Sequence, residues 1–328
     1  MNNKGIILWF WISLFPILLS AQKRLAFEDG KFVIAQFTDV HWRQQSPKCA
    51  QTAAVIRAVL KSECPDIAVL TGDVVTDHPA VDGWKAIIAL FEEAQMPFVV
   101  TMGNHDAEFL SKEEIYKLLL QSPYYVGSEG DKQIKGYGNC VLPIYDSGAG
   151  EKVKALLYCM DSNDYQSNPL YGPYDWIHFD QLMWYRQQSA SFRLENKNEP
   201  LPSLAFFHIP LLEYNEIASR KNRFGRARDR GVGASMINSG MFASFLEQKD
   251  VMGVFTGHDH NNEYIGINKG IALAYGRVSG MDGYGALKRG ARIIQLFEGK
   301  FLFDTWIATP SKREAIYHYP SGKVSKRK

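Results

Sequence analysis

The sequence predicts an α/β fold with its reactive groups gathered at the carboxyl ends of strands. Three observations carry this. Apolar strand-like runs recur along the chain, the early ones alternate with helical periodicity, and several end directly in Asp, Asn or His. The later runs crowd together, so the second half is expected to be richer in sheet. A hydrophobic content of 46% and a charged content of 22% over 328 residues suit an ordinary globular core. A formal net charge of +2 gives no pull toward nucleic acid, and no specific nucleic-acid binding is expected.

The N-terminus differs from the rest. "MNNKG" is followed by "IILWFWISLFPILL", without charge from Ile6 to Leu19, and then by "SAQ". Basic start, apolar centre and small residues are the order of a secretory signal, with cleavage expected after Ala21. A spanning helix needs about 20 apolar residues. This run is shorter and Pro16 interrupts it, so no stable membrane anchor is expected. The organisation read from the chain is a signal peptide over 1–21, a short segment over 22–31, one domain over 32–306 and a basic tail over 307–328. The mature protein is expected in the periplasm or outside the cell.

Strands are expected at "FVIAQF", "IAVLTG", "FVVTMG", "ALLYCM", "LAFFHI", "MGVFTG", "IALAYG", "RIIQLF" and "FLFDTW". Ala53, Ile56, Val59 and Leu60 share one helical face, as do Trp84, Ile87, Ile88 and Phe91. "SKEE" from Ser111 to Glu114 has the spacing of a capping box. Asp161–Trp176 reads as an aromatic surface loop. Residues 219–233, "SRKNRFGRARDRGVG", read as a basic loop, either solvated or an anion-attracting rim. Cys49 and Cys64 flank one expected helix about 20 Å long and cannot pair. Cys140 and Cys159 lie on candidate neighbouring strands, either as a disulfide or as buried thiols.

The chemistry sits where the apolar runs stop. "VIAQF" is followed by Asp39 and His41, "IAVL" by Asp73, "FVVTM" by Asn104, His105 and Asp106, "LAFF" by His208, and "MGVF" by His258 and His260. Open α/β sheets bind ligands outside these strand ends. In extended backbone, residues i and i+2 point the same way, so Asp39 and His41 can share one site, as can His258 and His260. Carboxylate, imidazole and amide suit Zn, Mn or Fe.

In this order "DVH", "GD", "GNHD", "H" and "GHDH" resemble the calcineurin-like metallophosphoesterases, dinuclear metal hydrolases. "FFHIPLLEY", "GHDHNNEY" and "AYGRVSGMDGYGALKRGARII" look like the purple-acid-phosphatase-like branch. The resemblance spans Phe32 to Trp306. It implies a β-sandwich flanked by helices, and two metal ions, divalent or mixed-valence. It places Asp39, His41 and His260 at one metal, Asn104, His208 and His258 at the other, and Asp73 between them. His105 is then the imidazole facing substrate as general acid, and Asp106 its orienting partner. The chain departs from purple acid phosphatases at two positions. His41 stands where they have Gly, and Thr76 stands where they carry a tyrosine iron ligand.

Around this centre Arg277 is the candidate for contact with phosphate, because a guanidinium forks onto its oxygens. Tyr214 and Tyr284 are pocket candidates without a distinguishing pattern, and Asn238 fits a helix N-cap better than a catalytic group. The function expected is hydrolysis of a phosphorylated small molecule, most simply a phosphomonoester, with a phosphodiesterase as the alternative. A non-catalytic phosphate-binding protein would not need the full ligand set.

Overall fold

Alternating burial along the first strand explains the layering. Phe32 and Ile34 face one core, Ala35 and Phe37 the other, as the two-residue period of a strand requires. The protein is known here from a computed structural model, which describes residues 24–219 and 221–324. The expected signal segment lies outside the described residues.

The first half alternates strictly: β1 (Lys31–Thr38), α1 (Cys49–Glu63), β2 (Ile67–Thr71), α2 (Ala80–Glu93), β3 (Phe98–Thr101), α3 (Lys112–Leu119). A mixed stretch follows: β4 (Cys140–Tyr145), β5 (Val153–Cys159), α4 (Phe179–Glu195), β6 (Ser203–Phe206), α5 (Tyr214–Ile217), β7 (Arg223–Phe224), α6 (Met241–Gln248) and β8 (Val251–Thr256). The last part is all strand: β9 (Ile265–Asn268), β10 (Ile271–Tyr275), β11 (Arg277–Val278), β12 (Ala291–Phe297), β13 (Phe303–Thr309), β14 (Lys312–Tyr319) and β15 (Lys323–Val324).

Two mixed sheets result. One runs β15-β14-β13-β12-β1-β2-β3, with β11 beside β1; the other runs β4-β5-β6-β8-β10-β9-β7. Between them lies a core of Phe32, Ile34, Val69, Leu157, Phe206, Phe255 and Ala274. On the outer face of the first sheet, α1 and α2 bury Ile56, Val59, Trp84, Ile87 and Phe91 against Ala35 and Phe37. On the outer face of the second, α4 and α6 bury Leu182, Tyr185, Phe242 and Phe245 against Ala205 and Val254. Each such side chain contributes roughly 1.5–3 kcal/mol. The fold is therefore the expected α/β sandwich. Ser111 and Glu114 close the expected capping box on α3, with each side chain bonded to the other residue's backbone N–H.

The register puts strand ends together. β1, β2 and β3 run parallel, and so do β5, β6, β8 and β10. The carboxyl ends of β1, β2, β3, β6 and β8 consequently supply adjoining loops.

Two expectations meet corrections or refinements here. The basic tail from 307 is not a tail: residues 307–309 complete β13, and β14 and β15 extend the first sheet. The alternation in "KREAIYHY" is muted because β14 is only half buried. Cys140 and Cys159 face each other across β4 and β5, both buried and both as free thiols.

Candidate metal centre

The loop after β1 turns sharply. Asp39 and His41 adopt φ of 51° and 42°, Asp73 after β2 adopts 52°, and His258 after β8 adopts 76°. Left-handed backbone is uncommon outside glycine, and clusters of it mark functional sites. Gly103 is required by space, since a Cβ there would stand 2.3 Å from Asp73 Oδ1. A Cβ on Gly72, itself at φ +77°, would meet the His208 ring at 2.5 Å.

These turns bring the expected ligands together in two groups. One donor atom each from Asp39, His41, Asp73 and His260 lies within 4.8 Å of the others, and the same holds for Asp73, His208 and His258. Asp73 belongs to both. Its Oδ2 is 3.6 Å from His41 Nε2 and 3.3 Å from His208 Nε2. His260 Nε2 is 3.2 Å from Asp39 Oδ1.

Outer contacts fix the rings. His208 Nδ1 donates to Thr71 O at 2.8 Å, which turns the Nε2 lone pair inward. His41 Nδ1 lies 3.2 Å from Thr76 Oγ1. Thr76, at the place of the absent tyrosine, therefore braces the histidine that replaces glycine. The Tyr284 ring stacks on His260 at 3.9 Å and 16°, and its main-chain carbonyl lies 3.3 Å from His260 Nδ1. The edge-on ring of Tyr174 supports His258 at 4.5 Å.

The donor set fits metal ions. Asn104 is 1% exposed, and its Oδ1 is buried without a hydrogen-bond partner. A buried amide oxygen is normally paired, so this one has the character of a ligand awaiting a cation. His41 Nε2 and His260 Nε2 approach to 3.0 Å, a distance that places two lone pairs on one point when both rings are neutral. Burial holds His41 down at about 4 and His258 down at about 3, which keeps both in the neutral, ligating form. Burial opposes the charged form of His208, yet the Asp73 carboxylate lifts it to about 10; a bound cation would displace that proton. Burial likewise opposes the Asp39 carboxylate, but His260 holds it down at about 2.

His105 stands at the edge of this cluster, with its ring 5.6 Å from that of His41 and its side chain 35% exposed. Its expected partner is a correction. The Asp106 carboxylate faces away and accepts backbone N–H bonds from Asp73 at 2.9 Å, Gly103 at 2.8 Å, Val74 at 2.7 Å and Val75 at 3.2 Å. Burial and the nearby Asp73 push the Asp106 carboxyl up to about 7, against the pull of those donors. The group bonded to His105 is Glu108, whose Oε1 lies 2.7 Å from Nδ1. Its offset of three residues within one turn is the signal that could have found it. Tyr165, whose hydroxyl lies 3.1 Å from His105 Nε2, comes from the aromatic loop and has no local signal.

Arg277 is a second correction. It is fully buried, bonded to Glu263, to Glu314 at 2.9 Å and to Lys288 O at 2.6 Å, so it braces the core and cannot meet phosphate. Tyr214 is buried too, donating to Val254 O and lying within reach of Ala274 O. Asn238 accepts from Gly240 N, but the N-cap of α6 is Gly240 itself. The basic loop lies against the centre: Asn262 Oδ1 accepts from Arg228 N, and Asp259 Oδ2 from Gly233 N.

The sequence matches the family described as Calcineurin-like phosphoesterase over residues 32–262. It is 33% identical over 335 residues to "Probable inactive purple acid phosphatase 29" of Arabidopsis thaliana, covering 92% of this chain and 86% of that protein. It is 28% identical over 277 residues to "Phosphatase DCR2" of Saccharomyces cerevisiae, covering 76% of this chain and 47% of that protein. Among solved structures, a dimetal phosphatase from Danio rerio superposes with a TM-score of 0.59 at 12% identity, over 86% of this chain and 97% of that one, a likeness of fold. Sequence, fold and donor set agree that the chain belongs to the calcineurin-like phosphoesterase family, with a dimetal phosphoesterase fold and residues able to hold metal ions.

Proposed function

We propose that this protein is a metal-dependent phosphoric ester hydrolase that acts on phosphomonoesters, with His105 as general acid. Asp39, His41 and His260 would hold one ion, Asn104, His208 and His258 the other, and Asp73 both. Bound there, two cations such as Fe, Zn or Mn would neutralise phosphate charge and acidify water. The observation that carries the reading is the position of His105. It is half-exposed, held beside Asn104, and its Nε2 is outside both ligand groups. A water oxygen forms the new P–O bond as the water gives one proton up to solvent, the ester P–O bond breaks, and its electron pair stays on the leaving oxygen. His105 Nε2 supplies the proton to that oxygen, an effect typically worth ~10²–10⁴-fold. The substrate is a phosphorylated small molecule, and the site of action is outside the cytoplasm after removal of residues 1–21.

The plant relative carries "probable inactive" in its name; in this chain all the proposed ligands and His105 are present. The test is His105→Ala on metal-loaded protein with two leaving groups. An alkoxide needs the proton and a nitrophenolate hardly does, so alkyl phosphates should slow far more than nitrophenyl phosphate, with metal content unchanged. Equal losses on both would remove the acid role. Faster turnover of bis-nitrophenyl phosphate than of the monoester would make the protein a diesterase.

A further inference from the structure

Glu108, His105 and Tyr165 form a chain of contacts that the ligand pattern does not require. Glu108 Oε1 is 2.7 Å from His105 Nδ1, so the ring donates to the carboxylate on that side. The Tyr165 hydroxyl is 3.1 Å from Nε2 and 3.4 Å from Nδ1, and the two rings meet edge to face at 5.7 Å and 84°. Two polar atoms this close can both reach a single oxygen placed between them and solvent. Tyr165 is 47% exposed, so the residue lies at the solvent-facing rim of the site.

Tyr165 is also held in place. It bridges Tyr174 in antiparallel register, Gln166 N donates to Pro173 O at 2.9 Å, and Asp175 N donates to Asp164 O at 2.8 Å. Its ring lies 6.0 Å from that of Tyr174 at 27°, and Tyr174 in turn meets His258. At the loop's start, Asp161 accepts from half-buried Lys112 at 2.8 Å and from Tyr137 N at 2.9 Å. The phenol is therefore mounted on a hairpin fixed to the candidate metal centre.

We propose that Tyr165 is a catalytic residue: its hydroxyl and His105 Nε2 together receive the leaving-group oxygen, and Glu108 is the positioning residue that holds the imidazole. This rests on the hydrolase reading given above. As the ester P–O bond breaks, the leaving oxygen keeps the electron pair and takes its proton from His105. Tyr165 keeps its own proton and donates a hydrogen bond to the same oxygen. Donors aimed at developing charge are effective because they need no reorganisation during the reaction.

The experiment uses the full metal-loaded protein and the variants Tyr165→Phe, Glu108→Gln and His105→Ala. Tyr165→Phe keeps the ring contacts with Tyr174 and removes only the hydroxyl. Its kcat on an alkyl phosphate should fall ~10²-fold, the usual loss for one such donor, with KM within about threefold, as expected when only the transition state loses an interaction. Nitrophenyl phosphate should be affected much less. A second readout needs no turnover: ¹⁵N NMR of the imidazoles, in which the His105 Nε2 resonance should move in Tyr165→Phe and the Nδ1 resonance in Glu108→Gln. Wild-type kcat in Tyr165→Phe while His105→Ala is slowed would overturn this proposal alone. An unmoved Nε2 resonance would overturn it too. An unimpaired His105→Ala would overturn both this proposal and the reading beneath it.

Discussion

The carboxylate of Asp106, next in the chain to His105, does not touch that ring but closes four backbone N–H groups of the loops after β2 and β3. Its work is structural, and it is done on Asp73. Asp106→Asn puts an amide N–H₂ against donors and leaves at least one buried N–H unpaired. The expected cost is at least ~2 kcal/mol of stability, read as a lower midpoint in urea for the chelated protein. Glu108→Gln, on a half-exposed side chain, should leave that midpoint unchanged. A wild-type midpoint for Asp106→Asn would show that the carboxylate is not the support described.

Metal content should reach two equivalents per chain. Asp73 sits in both donor groups, so Asp73→Asn should weaken both ions, whereas Asn104→Ala should weaken one. Elemental analysis after chelation and reloading gives the stoichiometry. Chelation should also lower the melting temperature, since an ion that binds only the folded chain stabilises it by mass action. Full activity with a single bound ion would end the dinuclear assignment.

Iron-loaded protein should show no tyrosinate charge-transfer band. Thr76 has no phenolate to offer and is engaged by His41 Nδ1 at 3.2 Å. Visible spectra of the iron form check this. A strong band abolished by Tyr165→Phe or Tyr284→Phe would place a phenolate on the metal after all.

Acid should loosen the brace behind the site. Burial opposes the Glu314 carboxylate, but hydrogen bonds from Lys312 and Arg277 hold it down at about 2, below its ordinary 4.5. A depressed folded-state value stabilises above the unfolded value and loses that contribution as pH falls through the folded one. The stability gap between wild type and Glu314→Gln should be constant above pH 4.5 and close between about 4.5 and 2. Denaturation of the two metal-free proteins across that range measures it; a gap that widens in acid would contradict the ion pairing.

The candidate ligands are legible in the sequence because each sits within a few residues of the carboxyl end of an apolar strand, and the parallel pairing of β1 with β2, β2 with β3 and β6 with β8 does the rest. The helices of the first half are legible for a similar local reason, their apolar spacing. Roles that depend on side-chain direction are not. His105 and Asp106 are neighbours in sequence, yet the turn sends one ring outward and the other carboxylate inward. Arg277 reads as an exposed anion binder until Glu263 and Glu314 arrive from two other segments. Tyr165 reaches His105 only through the hairpin that Tyr174 completes.

The contacts of Arg277 join segments that lie far apart in the chain. Glu263 lies three residues past His260, and Arg277 ties it to Glu314 on β14, close to the end of the described chain. Asp39, by contrast, directly follows β1, the first of the described strands. Without β14, Arg277 would lack one of its two carboxylates and the loop bearing His258 and His260 would lose part of its rear anchor. Stiffness at that end of the candidate ligand shell is thus tied to β14 keeping its place in the first sheet.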